Sequence, residues 1–238
     1  MKILLVGYGK MGKTIEQMAK NKGHEIAGIV DQDNRDTLAD YTTEQVDVAI
    51  EFTHPEAAFQ NITSCLKNGI PVVSGSTGWL NQFEDAVAIC KEHDTAFFYA
   101  SNFSVGVNLF FHFNEYIASK MQAYKEYQVG IREIHHLQKV DKPSGTGITA
   151  AEGILPHYSG LSGWVADNPT KKDKLNIISE REPDVVGTHI VTYASEIDKI
   201  ELSHIAHSRA GFAEGAVMAA EWVANRKGVY GMKDMLNL

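Results

Sequence analysis

Short unbroken apolar runs alternate with helically spaced ones through residues 1–100. Ile3–Val6, Glu25–Val30, Val46–Phe52, Pro71–Ser74 and Ala96–Ala100 read as strands, and the first is apolar throughout, as a strand covered on both faces is. Between them lie helical stretches at Lys10–Lys22 (Met11, Ile15, Met18 and Ala19 on one side), Glu56–Leu66 and Leu80–Lys91. That rhythm predicts an α/β unit, a parallel sheet with helices on both faces. After Ser101 the rhythm changes. Gly106–Met121 reads as a helix, and Glu126–Ile134 alternates strictly, with Tyr127, Val129 and Ile131 on one face. Asn176–Arg181, Val186–Ala194 and Lys199–Ile205 are further alternating strands. Strands in runs predict a second, α+β domain whose sheet is mainly antiparallel or mixed, with one face covered. Tyr158–Lys174, rich in Gly, Ser, Asn, Asp and Lys, reads as a loop, and Ala210–Asn225 as a closing helix.

Composition narrows the function classes. The 238 residues make one large domain or two small ones. Apolar residues at 44% and charged residues at 22% describe an ordinary globular chain. A net charge of −8 makes nucleic acid and anionic membrane poor generic partners. No apolar run approaches a membrane span, and the apolar start before Gly7 is too short for a signal-peptide core. Cys65 and Cys90 fall on apolar stripes, Ala58-Ile62-Cys65 and Leu80-Phe83-Val87-Cys90, and read as core residues. A cytoplasmic enzyme is the expectation.

Gly7-Tyr8-Gly9-Lys10-Met11-Gly12 is a G-x-G-x-x-G turn between a strand and a helix, and Asp31 ends the next strand. In that context the pattern points to a dinucleotide. Gly7 allows the tight turn, Gly9 the approach of a pyrophosphate, and Gly12 the packing of helix on strand, with free N–H groups at the helix start. Asp31 suits a ribose and repels a 2′-phosphate, while Lys10 could meet one. The cofactor is NADH or NADPH, with the balance towards NADH. The loops Glu51-Phe52-Thr53-His54-Pro55 and Gly75-Ser76-Thr77-Gly78 follow strand ends, where small residues let a nicotinamide approach; plain turns are the alternative.

From Glu133 to Thr146 an alternating strand runs into a polar loop, Glu133-Ile134-His135-His136-Leu137-Gln138-Lys139-Val140-Asp141-Lys142-Pro143-Ser144-Gly145-Thr146. Parity puts Glu133 and His135 on the face of Tyr127, Val129 and Ile131, where the carboxylate can orient the imidazole. His136 points the other way. Ser144-Gly145-Thr146 opens a helix reaching about His157, and its hydroxyls and free N–H groups suit a carboxylate. Lys139 and His136 add positive charge. A solvated polar loop is the competing interpretation. Metal is not expected, since adjacent histidines lack the i, i+4 spacing of a zinc motif.

These residues, in this order, resemble the dihydrodipicolinate reductase family, whose pattern E-x-H-H-x-x-K-x-D-x-P-S-G-T is matched from Glu133 to Thr146. Gly7–Gly12, Gly75–Gly78, Ser101–Asn108, Val186–His189 and Ser208–Ala216 match further blocks, so the resemblance covers nearly the whole chain. It implies a Rossmann-like domain, 1–103 completed by 209–238, and a substrate-binding and oligomerisation domain, 104–208, of a homotetramer. The implied reaction reduces a cyclic dicarboxylate, formed from hydroxytetrahydrodipicolinate, to tetrahydrodipicolinate with NADH or NADPH, the domains closing to exclude water. By the same resemblance His135 is the general acid with Lys139 as catalytic partner. His136, Lys139, Ser144, Gly145 and Thr146 hold substrate carboxylates, and Phe52, Thr53, Gly75, Thr77, Asn102 and Phe103 surround the nicotinamide, beside Ser76. Three positions depart from the family pattern: Gly147 stands where alanine is usual, Glu51 where aspartate is usual, and the 158–182 segment is short. The first is expected to be harmless. Another two-domain NAD(P) dehydrogenase and a non-catalytic nucleotide sensor are the rival classes; the first has no need of the His135–Thr146 block, and the second would lack His135 and Lys139.

Overall fold

In the computed structural model, which describes all 238 residues, the opening apolar run forms β1 (Lys2–Val6), followed by α1 (Lys10–Asn21) and β2 (Glu25–Val30). A 3-10 segment, Gln32–Asp40, leads to β3 (Val48–Glu51), α2 (Pro55–Lys67), β4 (Val72–Ser74), α3 (Phe83–Glu92) and β5 (Ala96–Tyr99). Then come α4 (Val105–Met121), β6 (Gln128–His135), α5 (Gly145–Ile154), β7 (Trp164–Ala166), β8 (Leu175–Arg181), β9 (Gly187–Ala194) and β10 (Lys199–Ala206). The chain ends in α6 (Ala210–Val223), β11 (Gly228–Tyr230) and α7 (Met232–Leu236). Two units result, Met1–Val105 with Ala210–Leu238, and Gly106–Arg209.

In the first unit all six strands are parallel, in the order β2-β1-β3-β4-β5-β11. Ile3 and Leu5 of β1 face the layer of α1 and α6, where Ile15, Ala19, Ala216 and Val217 are buried. Leu4 and Val6 face the layer of α2 and α3, with Ile62, Cys65, Leu66 and Cys90. Burial on both faces is why these strands are apolar without alternation. The order reverses between β1 and β3, and their carboxyl ends form the crevice where such doubly wound, Rossmann-like sheets take ligands. α6 packs very close: a Cβ at Gly215 would collide with the Phe103 carbonyl oxygen.

The second unit has a mixed sheet, β10-β9-β6-β8-β7. β9 runs antiparallel to β10 and β6, while β6–β8 and β8–β7 are parallel. α4 and α5 cover one face, burying Phe110, Ala118, Ala150 and Ile154 against Ile131, Ile177, Val191 and Tyr193. No helix is long and apolar enough to cross a membrane.

Some local expectations need correction. β7 lies inside the stretch expected to be a loop; three residues are too few to show alternation, and pairing with β8 makes the strand. The three-residue β11, the five-residue α7 and the nine-residue 3-10 segment Gln32–Asp40 were not foreseen either. The helix expected from Leu80 starts as a 3-10 turn, and Leu80 is half-exposed, so the buried stripe of α3 is Ala86 and Cys90, with Phe83 and Ile89 alongside.

Because the Phe103 backbone has nowhere to retreat, Gly215→Ala should lower stability by about 2 kcal/mol or more, within or above the usual overpacking range. Chemical denaturation of both proteins checks it; an unchanged midpoint would contradict the packing described.

Candidate active site

The glycine turn follows β1. Gly7 has φ +96, a left-handed value that glycine adopts freely, and its N–H donates to Val30 O at 2.7 Å. A Cβ on Gly7 would strike the Phe52 carbonyl oxygen, and one on Gly12 the Gly7 carbonyl oxygen. Beside Gly9, by contrast, a Cβ would meet nothing within 4 Å. Gly9 is the N-cap of α1 and has no side chain to cover the first-turn N–H groups. Tight at Gly7 and Gly12 and open at Gly9, the turn fits a dinucleotide pyrophosphate. Lys10 is exposed there and Met11 is half-buried.

Asp31 directly follows β2 and has an exposed carboxylate. Its Oδ1 accepts the Gln32 N–H at 2.9 Å, and its own N–H donates to Asn34 Oδ1 at 2.7 Å, which caps the 3-10 segment. Arg35, the nearest arginine in sequence, donates to Gln60 Oε1 at 2.5 Å.

Glu51 is the hidden centre of the next two loops. Its buried carboxylate accepts Ser74 Oγ–H at 2.6 Å, Ser76 Oγ–H at 2.8 Å, the Thr53 N–H at 3.0 Å and the Thr53 hydroxyl. Burial pushes its pKa up, and these four donors pull against that. The carboxylate thereby ties the loop after β3 to the loop after β4. Phe52 lies across Gly75, where a Cβ would overlap its ring, and its ring centroid is 5.6 Å from that of Phe103. Phe52, Thr53, Gly75, Ser76 and Phe103 are therefore brought together. Thr77 is exposed, and Asn102 Oδ1 accepts the Ser104 N–H at 2.9 Å.

In the second unit Glu133 and His135 sit on the buried face of β6, as parity requires. Glu133 has no exposed surface. Its oxygens accept the Ser144 N–H at 2.9 and 3.1 Å and also the Ser144 hydroxyl. Ser144 Oγ in turn accepts the Gly147 N–H at 3.1 Å, capping α5, and lies 3.1 Å from His189 Nε2. Ser144 is thus buried and fully engaged, while Gly145 is exposed and Thr146 half-buried at the first turn of α5. A Cβ at Gly147 would lie 2.6 Å from Glu133 Oε2, so the departure at 147 leaves the space that the carboxylate fills.

Burial lowers the His135 pKa; Glu133 opposes that, and Lys139 and Arg181 reinforce it. Lys139 Nζ pairs with Asp141 Oδ1 at 2.8 Å, and both residues are fixed by Arg181, whose guanidinium donates to Lys139 O at 3.2 Å and Asp141 O at 2.6 Å. His136 is half-buried. Arg181 and His189 were not anticipated as site residues. The signal for His189 was present: it shares strand parity with Val191 and Tyr193, both core residues, and a histidine on an apolar face needs a partner. Glu133, His135 and His189 place one ligand atom each within 4.8 Å of one another. Both Glu133 oxygens are already engaged by Ser144, which makes the cluster a hydrogen-bonded unit first.

Residues 1–103 match the family model described as dihydrodipicolinate reductase, N-terminus, and residues 106–236 match its C-terminus counterpart. A 4-hydroxy-tetrahydrodipicolinate reductase of Christiangramia forsetii is 53% identical over 100% of this chain and 98% of its own. The enzyme of that name from Neisseria meningitidis is 34% identical over 94% and 84%. Among solved structures, a dipicolinate-bound dihydrodipicolinate reductase from Paenisporosarcina sp. TG-14 shares the fold with a TM-score of 0.78 at 24% identity, covering 98% of this chain and 99% of that one. The chain belongs to the dihydrodipicolinate reductase family.

Proposed function

We propose that this chain, an NAD(P)H-dependent oxidoreductase of the diaminopimelate–lysine pathway, reduces the cyclic dicarboxylate formed from 4-hydroxy-tetrahydrodipicolinate to tetrahydrodipicolinate. The observation that carries the site assignment is the corner from Glu133 to Thr146. One buried carboxylate holds both a histidine-bearing strand end and the first turn of a helix.

In this reading the unit Met1–Val105 with Ala210–Leu238 binds the dinucleotide, and Gly106–Arg209 binds substrate. Gly7, Gly9, Lys10, Met11 and Gly12 hold the pyrophosphate, and Asp31 takes the adenosine ribose. Phe52, Thr53, Gly75, Ser76, Thr77, Asn102 and Phe103 form the nicotinamide half. NAD(P)H supplies a hydride. Substrate carboxylates dock at Gly145 and Thr146, with Ser144 as the cap that aims their N–H groups, and with Lys139 and His136 as cations. His135 delivers the proton that balances the hydride, at the carbon next to the one reduced. Asp31 favours NADH, because its exposed carboxylate repels a 2′-phosphate; Lys10, exposed in the glycine turn, leaves NADPH usable. The chain works in the cytoplasm as a homotetramer. That assembly is supported by the exposed Ile178 and Ile205 on the sheet face not covered by α4 and α5.

A coupled assay with freshly generated substrate should show turnover with both cofactors. His135→Ala should lower kcat by about 10²-fold or more, with cofactor binding kept; unchanged turnover removes the assigned role. A proton donor must begin protonated, and burial lowers the His135 pKa. kcat/KM should therefore fall with rising pH through a value below 6.5, the ordinary histidine value. A fall beginning only near 8 contradicts it. Asp31→Ala should move the NADH-to-NADPH ratio of kcat/KM towards NADPH, and a ratio that stays fixed argues against the ribose contact.

A further inference from the structure

The Glu133 cluster has a direction when its hydrogens are assigned one at a time. Nε2 of His189 and the Arg181 guanidinium stand 3.8 and 3.9 Å from the Glu133 carboxylate, so its close partners are the N–H and O–H of Ser144. The single hydroxyl proton of Ser144 is therefore committed to Glu133. Gly147 N–H and His189 Nε2, both 3.1 Å from Ser144 Oγ, must then be donors. His189 is neutral, because burial beside His135, His204 and Lys139 brings its pKa down to about 3. A neutral imidazole with its proton on Nε2 has a bare Nδ1. That Nδ1 is buried and has no hydrogen-bond partner, and the same is true of Nδ1 of His135. The two rings are 5.0 Å apart, centroid to centroid, at 70°.

We infer that Glu133, Ser144 and His189 form a one-way hydrogen-bonded chain whose open end, Nδ1 of His189, accepts the second N–H of the His135 imidazolium. The inference rests on His135 being the proton donor. An imidazolium carries two N–H groups. One goes to the substrate carbon, and in a buried place the other needs an acceptor. When the proton leaves, His135 becomes neutral and keeps the N–H directed at His189, and His189 neither gains nor loses a proton. In the structure both Nδ1 atoms are without a partner, so the bond requires the His135 ring to turn towards His189. His189 and Glu133 are thus positioning residues. Register puts them there: Glu133 of β6 is paired with His189 of β9, and His189 with His204 of β10. The charged and titratable groups facing His135 are Glu133 on its own strand, Lys139 and Asp141 from the loop, Arg181 on β8 and His189 on β9.

The test uses the full-length chain labelled with ¹⁵N-histidine. The His189 nitrogens, assigned by their loss in His189→Gln, should report the Nε2–H tautomer without titration from about pH 5 to 8, which lies well above a pKa of about 3. Ser144→Ala, which removes the acceptor, should mix the two tautomers. In His189→Gln, kcat should fall about 10- to 100-fold, the loss of a hydrogen bond to a charged group. Its decline with pH should begin about one unit lower, while the cofactor Kd stays unchanged. A merely structural histidine would lower stability without moving the pH profile. An Nδ1–H tautomer, titration near 6.5, or an unmoved profile overturns the proposal. If His189→Gln does not fold, the tautomer is assigned from Ser144→Ala and still decides. Wild-type protein without reductase activity would sink the functional reading alone, leaving the tautomer result standing.

Discussion

A carboxylate stripped of water must be satisfied by donors that cannot move away. The corner from β6 to α5 is organised around one such group. Glu133 has no exposed surface, and Arg181 pairs with it only at 3.9 Å, so the N–H and O–H of Ser144 are its close partners. Satisfying that charge fixes the cap of α5, and the cap fixes where the first-turn N–H groups point. The same charge lies beside His135 and opposes the effect of burial on it. The cap of α5 and the electrostatic setting of His135 are therefore both tied to a single buried oxygen pair.

The first unit repeats the device with different parts. Glu51 gathers three hydroxyls and one N–H from the ends of β3 and β4, and so holds Thr53 and Ser76 in register with one another. Hydroxyls suit this work because they are short, neutral and able to turn. A lysine or arginine would bring a long side chain and a second charge into a space that Phe52, Gly75 and Phe103 already fill. The loops after β3 and β4 are thus braced by one buried carboxylate.

Glycine plays opposite parts along the chain. At Gly7 and Gly12 its bareness lets backbone meet backbone, and at Gly9 it leaves space. Gly147 makes room for Glu133. An alanine there, usual in the family pattern, is no longer a neutral exchange in this chain, because the carboxylate it would press on is pinned by two donors from Ser144.

What the amino-acid order determined by itself was most of the longer local elements. Apolar runs marked the doubly covered strands, helical spacing marked the helices, and the glycine turn and the Glu133–Thr146 corner were legible because their chemistry is contiguous. Parity even placed Glu133 and His135 on one face. Tertiary structure alone decided the partners. Ser144 and His189 are 45 residues apart and meet only because β9 pairs with β6 in one register. Glu51 reaches Ser74 and Ser76 only because β4 lies beside β3. β7 and β11 exist because a neighbouring strand accepts them. Periodicity encodes which way a side chain faces, whereas the group it meets depends on pairings between segments distant in the chain, and no single stretch of residues carries that information.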